Sequence, residues 1–488
     1  MDQFVLICPE KHFYELSTLI REFFPLCEVL PRRTEGRSGI VLTEDETAGE
    51  LYDETGKVLY SRRVDETFDN YQGEVSKNRA KLVIYRLMAD YLEQEGLPWG
   101  ILTGVRPTKI AYAYLEQGLS VPDIIRILTD HYLLRLDKAV LCAKVAFAER
   151  RLMEDQRGED VSIYVGIPFC PTRCSYCSFI SSDSRAFQKY SEAYLTALIK
   201  EIREAGPVLS GRRIRSFYMG GGTPTTLEPD QMKRLLSECE AAFHISGLKE
   251  VTVEAGRPDT ITLEKLQVLK EAGVGRISIN PQTMVQETLD RIGRKHTVQQ
   301  VEEAFALARS LDHFIINMDL ILGLEGEGLE EVETTMKAVS RLKPDNLTVH
   351  TLAVKRSSRM NEEGDGEKYL KENPLALAEL MDRMIRLSAD TARSLGLFPY
   401  YMYRQKNMAG NFENVGYARA GTEGIYNIEI MEERQSIAAF GAGGVSKVYT
   451  PAENRIERVP NVKGIEQYIS RIDEMIQRKK EGFCQHDR

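Results

Sequence analysis

The sequence predicts an α/β protein, a partial (β/α)6 TIM-like barrel between an N-terminal α+β domain and a C-terminal α+β extension. Three observations carry this. Short apolar runs alternate with amphipathic runs from Val161 to Leu395. The polar and glycine-rich stretches fall just after the apolar runs, where ligands sit in parallel-strand folds. The patterns before residue 155 and after Gly396 differ from that alternation. The expected domains are therefore residues 1–155, 156–396 and 397–488.

Taken in order, Phe4–Ile7, Gly39–Leu42 and Lys57–Tyr60 read as strands, and Lys11–Phe24 as an amphipathic helix. Lys77–Glu95 is a helix in which Leu82, Tyr85, Met88 and Leu92 recur at helical spacing. Leu102-Thr103-Gly104-Val105-Arg106-Pro107-Thr108-Lys109 leads into a helix over Ile110–Gln117. Its Gly, Pro and Thr beside two cations could hold an anion, but a capped helix start is the favoured reading. Leu134–Arg157 is a helix leading into the barrel. Barrel strands are expected at Val161–Ile167, Arg215–Met219, Glu250–Ala255, Arg276–Asn280, Phe314–Leu322 and Asn346–Leu352. The helices between and after them are Phe187–Glu204, Pro229–Phe243, Leu263–Ala272, Val298–Leu311, Leu329–Leu342 and Leu375–Leu395. Pro229 sits at a favoured first-turn position. Beyond Gly396, Pro399–Met408 and Gly424–Met431 read as short strands and Phe440–Lys447 as a glycine-rich turn. Gly464–Lys480 reads as a terminal amphipathic helix. This last section is expected to pack on the barrel mouth and help close it.

A chain of 488 residues suggests two or three domains. Apolar content of 42% and charged content of 28% are those of an ordinary soluble globular protein. The net charge of −9 disfavours a duplex-binding surface, so no nucleic-acid partner is expected. No apolar run has membrane length, and Met1-Asp2-Gln3-Phe4 lacks the layout of a signal peptide. Eight cysteines in this length are no disulfide framework. A cytoplasmic monomer working without oxygen is expected.

The chemistry centres on Tyr164-Val165-Gly166-Ile167-Pro168-Phe169-Cys170-Pro171-Thr172-Arg173-Cys174-Ser175-Tyr176-Cys177-Ser178-Phe179. Three cysteines in C-x3-C-x2-C spacing follow an apolar strand. Thiolates are soft ligands that suit iron–sulfur clusters. A structural zinc site wants a fourth ligand, yet His131 and Cys142 lie before the strand and the next such residue is Cys239. Disulfides would leave one cysteine over, and a ferredoxin-type site needs a fourth cysteine close by. A four-iron cluster on three thiolates keeps one iron open for a chelating small molecule.

Gly220-Gly221-Gly222-Thr223-Pro224-Thr225 follows the second strand, where missing side chains let the backbone approach a ligand. Glu254 ends the third strand, Gln282 follows the fourth, Arg294 follows a short helical turn and Asp319 lies in the fifth strand. One Arg can clamp a carboxylate, and Asp319 or Gln282 can bind ribose hydroxyls. Tyr176, between two of the cysteines, can pack on a base or simply on its own loop.

The cysteine spacing resembles the radical S-adenosylmethionine (SAM) superfamily. Tyr-Val-Gly-Ile-Pro-Phe-Cys, the Gly-Gly-Gly-Thr-Pro-Thr turn, Glu254, the Gln282 to Arg294 spacing and Asn317-Met318-Asp319-Leu320-Ile321 resemble the oxygen-independent coproporphyrinogen III oxidase (dehydrogenase) family. Leu102–Lys109 and Tyr401-Met402-Tyr403-Arg404-Gln405-Lys406-Asn407 resemble its HemZ-like branch. The resemblance implies the radical SAM form of the barrel, with a [4Fe–4S] cluster on Cys170, Cys174 and Cys177. It places Gly221, Gly222, Thr223, Glu254 and Arg294 at the methionine part of SAM. Gln282, Asp319 and Ile321 would lie along the rest of that molecule, with Tyr164 beside the cluster as the catalytic tyrosine. The implied reaction turns two propionates of coproporphyrinogen III into vinyls, giving protoporphyrinogen IX. A 5′-deoxyadenosyl radical removes the hydrogen. A one-electron donor such as flavodoxin or ferredoxin is implied. Lys355, Arg356, Arg404 and Lys406 are candidate cations for a substrate with four carboxylates. The best-established oxidases carry His at the place of Gly166 and Cys at that of Phe179. Cys-x-Tyr-Cys-x-Phe is the form of haem-delivering relatives, so a haem-binding chaperone is the alternative. A haem-degrading methyltransferase is a third reading.

Overall fold

The apolar runs form the strands of two separate sheets in a computed structural model of the chain. It describes residues 2–25, 27–64, 75–93, 96–104, 106–178, 184–355, 358–362, 374–405 and 408–484. The chain divides into two compact units, Met1–Arg150 with Gly364–Asp382 and Met402–Asn414, and Arg151–Glu363 with Arg383–Tyr401 and Val415–Arg488.

The first unit has a five-stranded sheet of β1 (Gln3–Ile7), β2 (Glu28–Leu30), β3 (Gly39–Leu42), β4 (Ala48–Tyr52) and β5 (Val58–Arg63), in the order β2-β1-β3-β4-β5. Helices Glu10–Phe23 and Val75–Leu92 accompany it and bury Leu16, Leu19, Ile20, Leu82, Ile84 and Met88. Residues 402–414 join this unit, not the C-terminal extension expected from the pattern change at Gly396. Buried polar contacts explain why. Glu413 accepts from Trp99 Nε1 at 2.9 Å and Lys138 Nζ at 2.6 Å. Arg404 donates to Leu102 O, to Asn411 O at 3.0 Å and to Glu22 Oε2 at 3.0 Å. A buried charge needs such partners, and losing one is far costlier than making the pair is favourable.

The second unit is built on an eleven-stranded sheet. Its centre is β6 (Val161–Ile167), β7 (Ile214–Gly221), β8 (Glu250–Glu254), β9 (Arg276–Ser278), β10 (Ile315–Leu322) and β11 (Asn346–Thr351). These six are parallel, in sequence order. β12 (Phe398–Tyr403), β13 (Asn414–Ala418), β14 (Ser436–Phe440), β15 (Val445–Thr450) and β16 (Arg455–Pro460) complete the order β12-β13-β11-β10-β9-β8-β7-β6-β14-β15-β16. The sheet continues past β11 through antiparallel β13 and past β6 through parallel β14. A helix follows each central strand at the position the periodicity predicts, within a few residues; that after β9 is preceded by a short helix, Gln286–Arg291. Pro229 does open its helix, with Glu228 and Gln231 forming a capping box.

Two expectations for the C-terminal section are corrected. Gly424–Met431 is not a strand: Ile425–Glu432 is a helix. Its first N–H groups have no partner within the helix. The Glu250 carboxylate accepts from Ile425 N and, at 3.1 Å, from Tyr426 N, and a negative group is favourable at that end. This helix packs at the amino ends of the barrel strands. Its Glu429 accepts from Ser162 Oγ and Ser216 Oγ, each at 2.5 Å, and from Arg215 Nε at 3.1 Å. Ser162, Arg215, Ser216 and Glu250 stand at the amino ends of their strands, so the helix plugs the end opposite the mouth. The turn Gly441–Gly444 does lie at the carboxyl end, beside Gly166: a Cβ at Gly441 would stand 2.5 Å from Gly166 O. The terminal helix is broken into Ile465–Ser470 and Ile472–Cys484.

Candidate functional site at the carboxyl ends of the barrel strands

The period of two along each strand puts alternate residues on one face. In β10, Asn317, Asp319 and Ile321 share a face, and Asn317 Nδ2 donates to Asp319 Oδ1 at 2.7 Å. Thr348 Oγ1 of β11 donates to Asn317 Oδ1 at 3.2 Å, and His350 Nε2 lies 4.0 Å from Asp319 Oδ2. In β7, Tyr218 precedes Gly220 on the same face and donates to Glu254 Oε1 at 2.5 Å. Tyr164, Tyr218 and Tyr426 stack, with ring centroids 6.3 Å apart for Tyr164–Tyr218 and 4.5 Å for Tyr218–Tyr426. Burial pushes the Tyr164 phenol well up, and the nearby Glu254 carboxylate adds to that. Burial also pushes Glu254 up to about 7, opposed by the Tyr218 hydroxyl and reinforced by Asp319.

The cysteine loop leaves the end of β6 and is held by its neighbours. Ser175 N donates to Ile292 O at 3.0 Å, Thr172 Oγ1 to Gly293 O at 3.1 Å, and Met360 N to Ser175 O at 3.0 Å. Cys177 N donates to Cys174 O at 3.2 Å. The glycine turn lies directly under this loop. Gly222 N donates to Ile167 O at 2.8 Å and Thr223 N to Phe169 O at 2.7 Å. Thr223 Oγ1 is 3.4 Å from Cys170 Sγ. Gly220 leaves room for Glu254, whose carboxyl carbon would stand 2.8 Å from a Cβ there, and Gly221 has φ +110°. A Cβ on Gly222 would meet Phe169 O at 2.5 Å and Ile167 O at 2.9 Å, both backbone. Gly222→Ala is therefore expected to destabilise the protein by about 1–3 kcal/mol. Thermal unfolding of the variant against the wild type checks it.

Arg294 is buried, lies against Cys174 and donates to Asn280 O, Pro281 O and Gly256 O, and its Nε has no partner among the described residues. Ser278 Oγ, Asn280 Oδ1 and Gln282 Oε1 are likewise buried and unpartnered among the described residues. Gln282 has φ +70°; its N–H donates to Asp319 O and its carbonyl accepts from Ile321 N. An unpartnered buried polar atom is costly unless a ligand completes it. Tyr176 lies beside Arg294 and Cys174, its phenol pushed well up by burial.

Most of the expected residues thus meet at the carboxyl ends: the three cysteines after β6, Gly221–Thr223 at the end of β7, Glu254 ending β8, and Gln282 and Arg294 after β9. Tyr164 and Asp319 do not sit at strand ends. They are the fourth residue of β6 and the fifth of β10, within the strands. Of the proposed substrate cations, Arg404 is corrected: it is buried in the first unit with Glu22 as its counterion. Lys355 is half-buried near Cys177, its ammonium pushed down mainly by burial. Arg356, Lys406 and Phe179 lie outside the described residues. The sequence reading missed Tyr218, Tyr426, Asn280, Arg257 and His296. Tyr218 and Asn280 could have been found from the period of two, since they share faces with Gly220 and Ser278. Nothing in the pattern announces the other three.

The arrangement suits a three-thiolate cluster with SAM on its open iron. Three thiols lie on one loop, a side-chain-free turn lies against it, and unpartnered donors and acceptors line the adjacent strands. Among the described residues, no three His, Cys, Asp or Glu side chains are placed to share a single metal ion. A cluster distributes its ligands over separate irons, so it makes no such demand.

Comparison with known proteins agrees with this geometry. Residues 164–339 match the radical SAM superfamily. The oxygen-independent coproporphyrinogen-III oxidase-like protein HemZ of Bacillus subtilis is 40% identical over 380 residues, 77% of this chain and 75% of that protein. The heme chaperone HemW of the same organism is 29% identical over 317 residues, 64% of this chain and 76% of its own. Among solved structures, the coproporphyrinogen III oxidase HemN from Escherichia coli superposes with a TM-score of 0.52 at 22% identity. It covers 68% of this chain and 73% of that one, which speaks for the fold.

Proposed function

The chain belongs to the radical SAM oxygen-independent coproporphyrinogen III oxidase family, in its HemZ-like branch, and from this premise we propose that it is a coproporphyrinogen III dehydrogenase. Proteins of this family use a [4Fe–4S] cluster and SAM. The observation that carries the proposal is the meeting of the cysteine loop, the glycine turn and Glu254 with the unpartnered atoms of Asn280, Gln282 and Arg294. Cys170, Cys174 and Cys177 hold the cluster. Gly221, Gly222 and Thr223 present backbone and a hydroxyl to the methionine end of SAM, with Glu254 on its ammonium and Arg294 on its carboxylate. Gln282, Asp319 and Ile321 flank the ribose side, and Tyr176 packs on adenine. Tyr164 stands beside the cluster, where its raised phenol keeps its proton. When bound, the reduced cluster and SAM supply the means to take a hydrogen atom from the propionate β-carbon, after which carbon dioxide leaves and one electron passes to an acceptor. Each propionate becomes a vinyl, and two such events give protoporphyrinogen IX. Lys355, near Cys177, meets a substrate carboxylate in this reading. The electron donor is a small one-electron carrier of the flavodoxin or ferredoxin kind. Among the described residues no helix is long and apolar enough to cross a membrane, and we place the reaction in the cytoplasm.

The test is an anaerobic assay of reconstituted protein with coproporphyrinogen III, SAM and dithionite, read by mass spectrometry. Loss of one and then two carboxyl groups, with 5′-deoxyadenosine, is the expected result. A fully loaded protein that leaves the substrate intact overturns the proposal. The likeness to the heme chaperone and the phenylalanine at sequence position 179 favour one second reading, haem binding and delivery without porphyrinogen turnover. Haem bound at micromolar concentration, with no decarboxylated product, would favour it.

A further inference from the structure

The stretch between the first two cluster cysteines is pinned by a residue outside the cysteine pattern. Arg257 is 2% exposed and donates from Nη1 to Thr172 Oγ1 at 3.0 Å and to Thr172 O at 3.3 Å. Its Nε and Nη2 donate to Asp259 at 3.2 and 3.3 Å. The guanidinium is thus polarised, with one edge against the cysteine loop and its counterion on the other edge, more exposed than Arg257 itself. His296 and Arg294 are further ionisable groups of this buried cluster, with Tyr176 and Cys174 against Arg294. His296 is fully buried, and neither ring nitrogen has a partner among the described residues. Burial, then the Arg294 and Arg257 charges, push it down to about 3, so it is neutral at physiological pH. Two guanidinium charges, Arg257 and Arg294, therefore stand against one carboxylate, Asp259, beside the cysteine loop, with a neutral ring in place of a second anion.

We infer that Arg257 is a positioning residue that fixes the Cys170–Cys174 loop and whose charge raises the reduction potential of the cluster held there. The inference rests on the radical SAM reading of that loop. One-electron reduction adds one negative charge to the cluster. A buried cation nearby stabilises the reduced form, more strongly than in water because the local dielectric is low. Thr172 transmits the position, because it accepts from Arg257 and donates to Gly293, one residue before Arg294. The same contact links the cysteine loop to the strand ends that carry the SAM-facing residues.

The test compares wild type, Arg257→Met, Arg257→Lys and Asp259→Asn as anaerobically reconstituted full-length protein. The readouts are iron content, a potentiometric titration followed by electron paramagnetic resonance, and hydrogen exchange of the 170–177 peptide before loading. Arg257→Met removes the charge at similar length. It should lower the reduced-to-oxidised ratio at a fixed potential about tenfold, a midpoint shift of about 59 mV for one electron. Arg257→Lys keeps the charge and should stay within about threefold of wild type, while the unloaded loop exchanges faster. Asp259→Asn removes the counterion and should shift the midpoint the opposite way. An unchanged midpoint in a fully loaded Arg257→Met protein overturns the inference. If that variant holds no cluster, Asp259→Asn decides: no upward shift overturns it. A wild-type chain that forms a cluster whose signal does not respond to SAM overturns the radical SAM reading, and the inference with it.

Discussion

Cys174→Ala is expected to abolish product formation, by more than about 10³-fold, while leaving the fold intact. The cluster ligands act as a unit, and removing one member of such a unit forfeits nearly all of what the unit does. The fold should survive because Cys174 is a buried side chain on a loop whose backbone contacts do not need its sulfur. The loop is anchored through Ser175 N to Ile292 O and Thr172 Oγ1 to Gly293 O. The measurement is twofold: iron per chain after reconstitution, which should fall to a fraction of wild type, and thermal unfolding of the unloaded protein, which should stay within a few degrees. An unloaded variant that unfolds early would mean the cysteine serves packing first.

Glu254→Gln is expected to weaken SAM binding about ten- to a hundredfold, the range for losing a hydrogen bond between charged groups. Its pH dependence is the sharper signature. Burial pushes the Glu254 carboxyl up to about 7 in the ligand-free chain. An ammonium bound beside it favours the ionised form. Wild-type affinity for SAM should therefore fall as pH drops below about 7, approaching tenfold per unit, because the proton must leave before the ligand is held. The glutamine variant should show no such slope. The same raised value has a consequence for stability. The folded chain holds this proton more tightly than the unfolded chain, so the contribution is fully present below about 4.5. It is lost as pH rises through about 7. Calorimetric titration of SAM from pH 5.5 to 8 checks the first, and unfolding of the ligand-free wild type compared with the ligand-free variant from about pH 4 to 8 checks the second.

Much of the barrel was legible because burial on both faces makes parallel strands read as continuous apolar runs, as in Val161–Ile167. The helices between them carry one apolar stripe each, and the loops that hold chemistry follow the strands directly. Local spacing also disclosed the cysteines and Gly220–Thr223, since these act through contiguous backbone. The C-terminal section was harder to read. Ile425–Glu432 is enclosed in polar contacts from strands far away in the chain, so it carries no one-sided stripe. Its Glu429 is buried by Ser162, Arg215 and Ser216, about 200 residues or more earlier in the chain. Arg404 looked like a substrate cation only because its partners Glu22 and Leu102 lie in another part of the sequence. Arg257 was hidden for the same reason: its meaning depends on Thr172, 85 positions away.

The most direct measurement of the central claim follows one atom. Coproporphyrinogen III deuterated at the propionate β-carbons would be given to the reconstituted protein with SAM and reductant, and the 5′-deoxyadenosine weighed by mass spectrometry. Deuterium in that product, in step with vinyl formation, is the result this account predicts. Unlabelled 5′-deoxyadenosine with an untouched substrate would contradict it, placing the radical chemistry of this site on some other molecule.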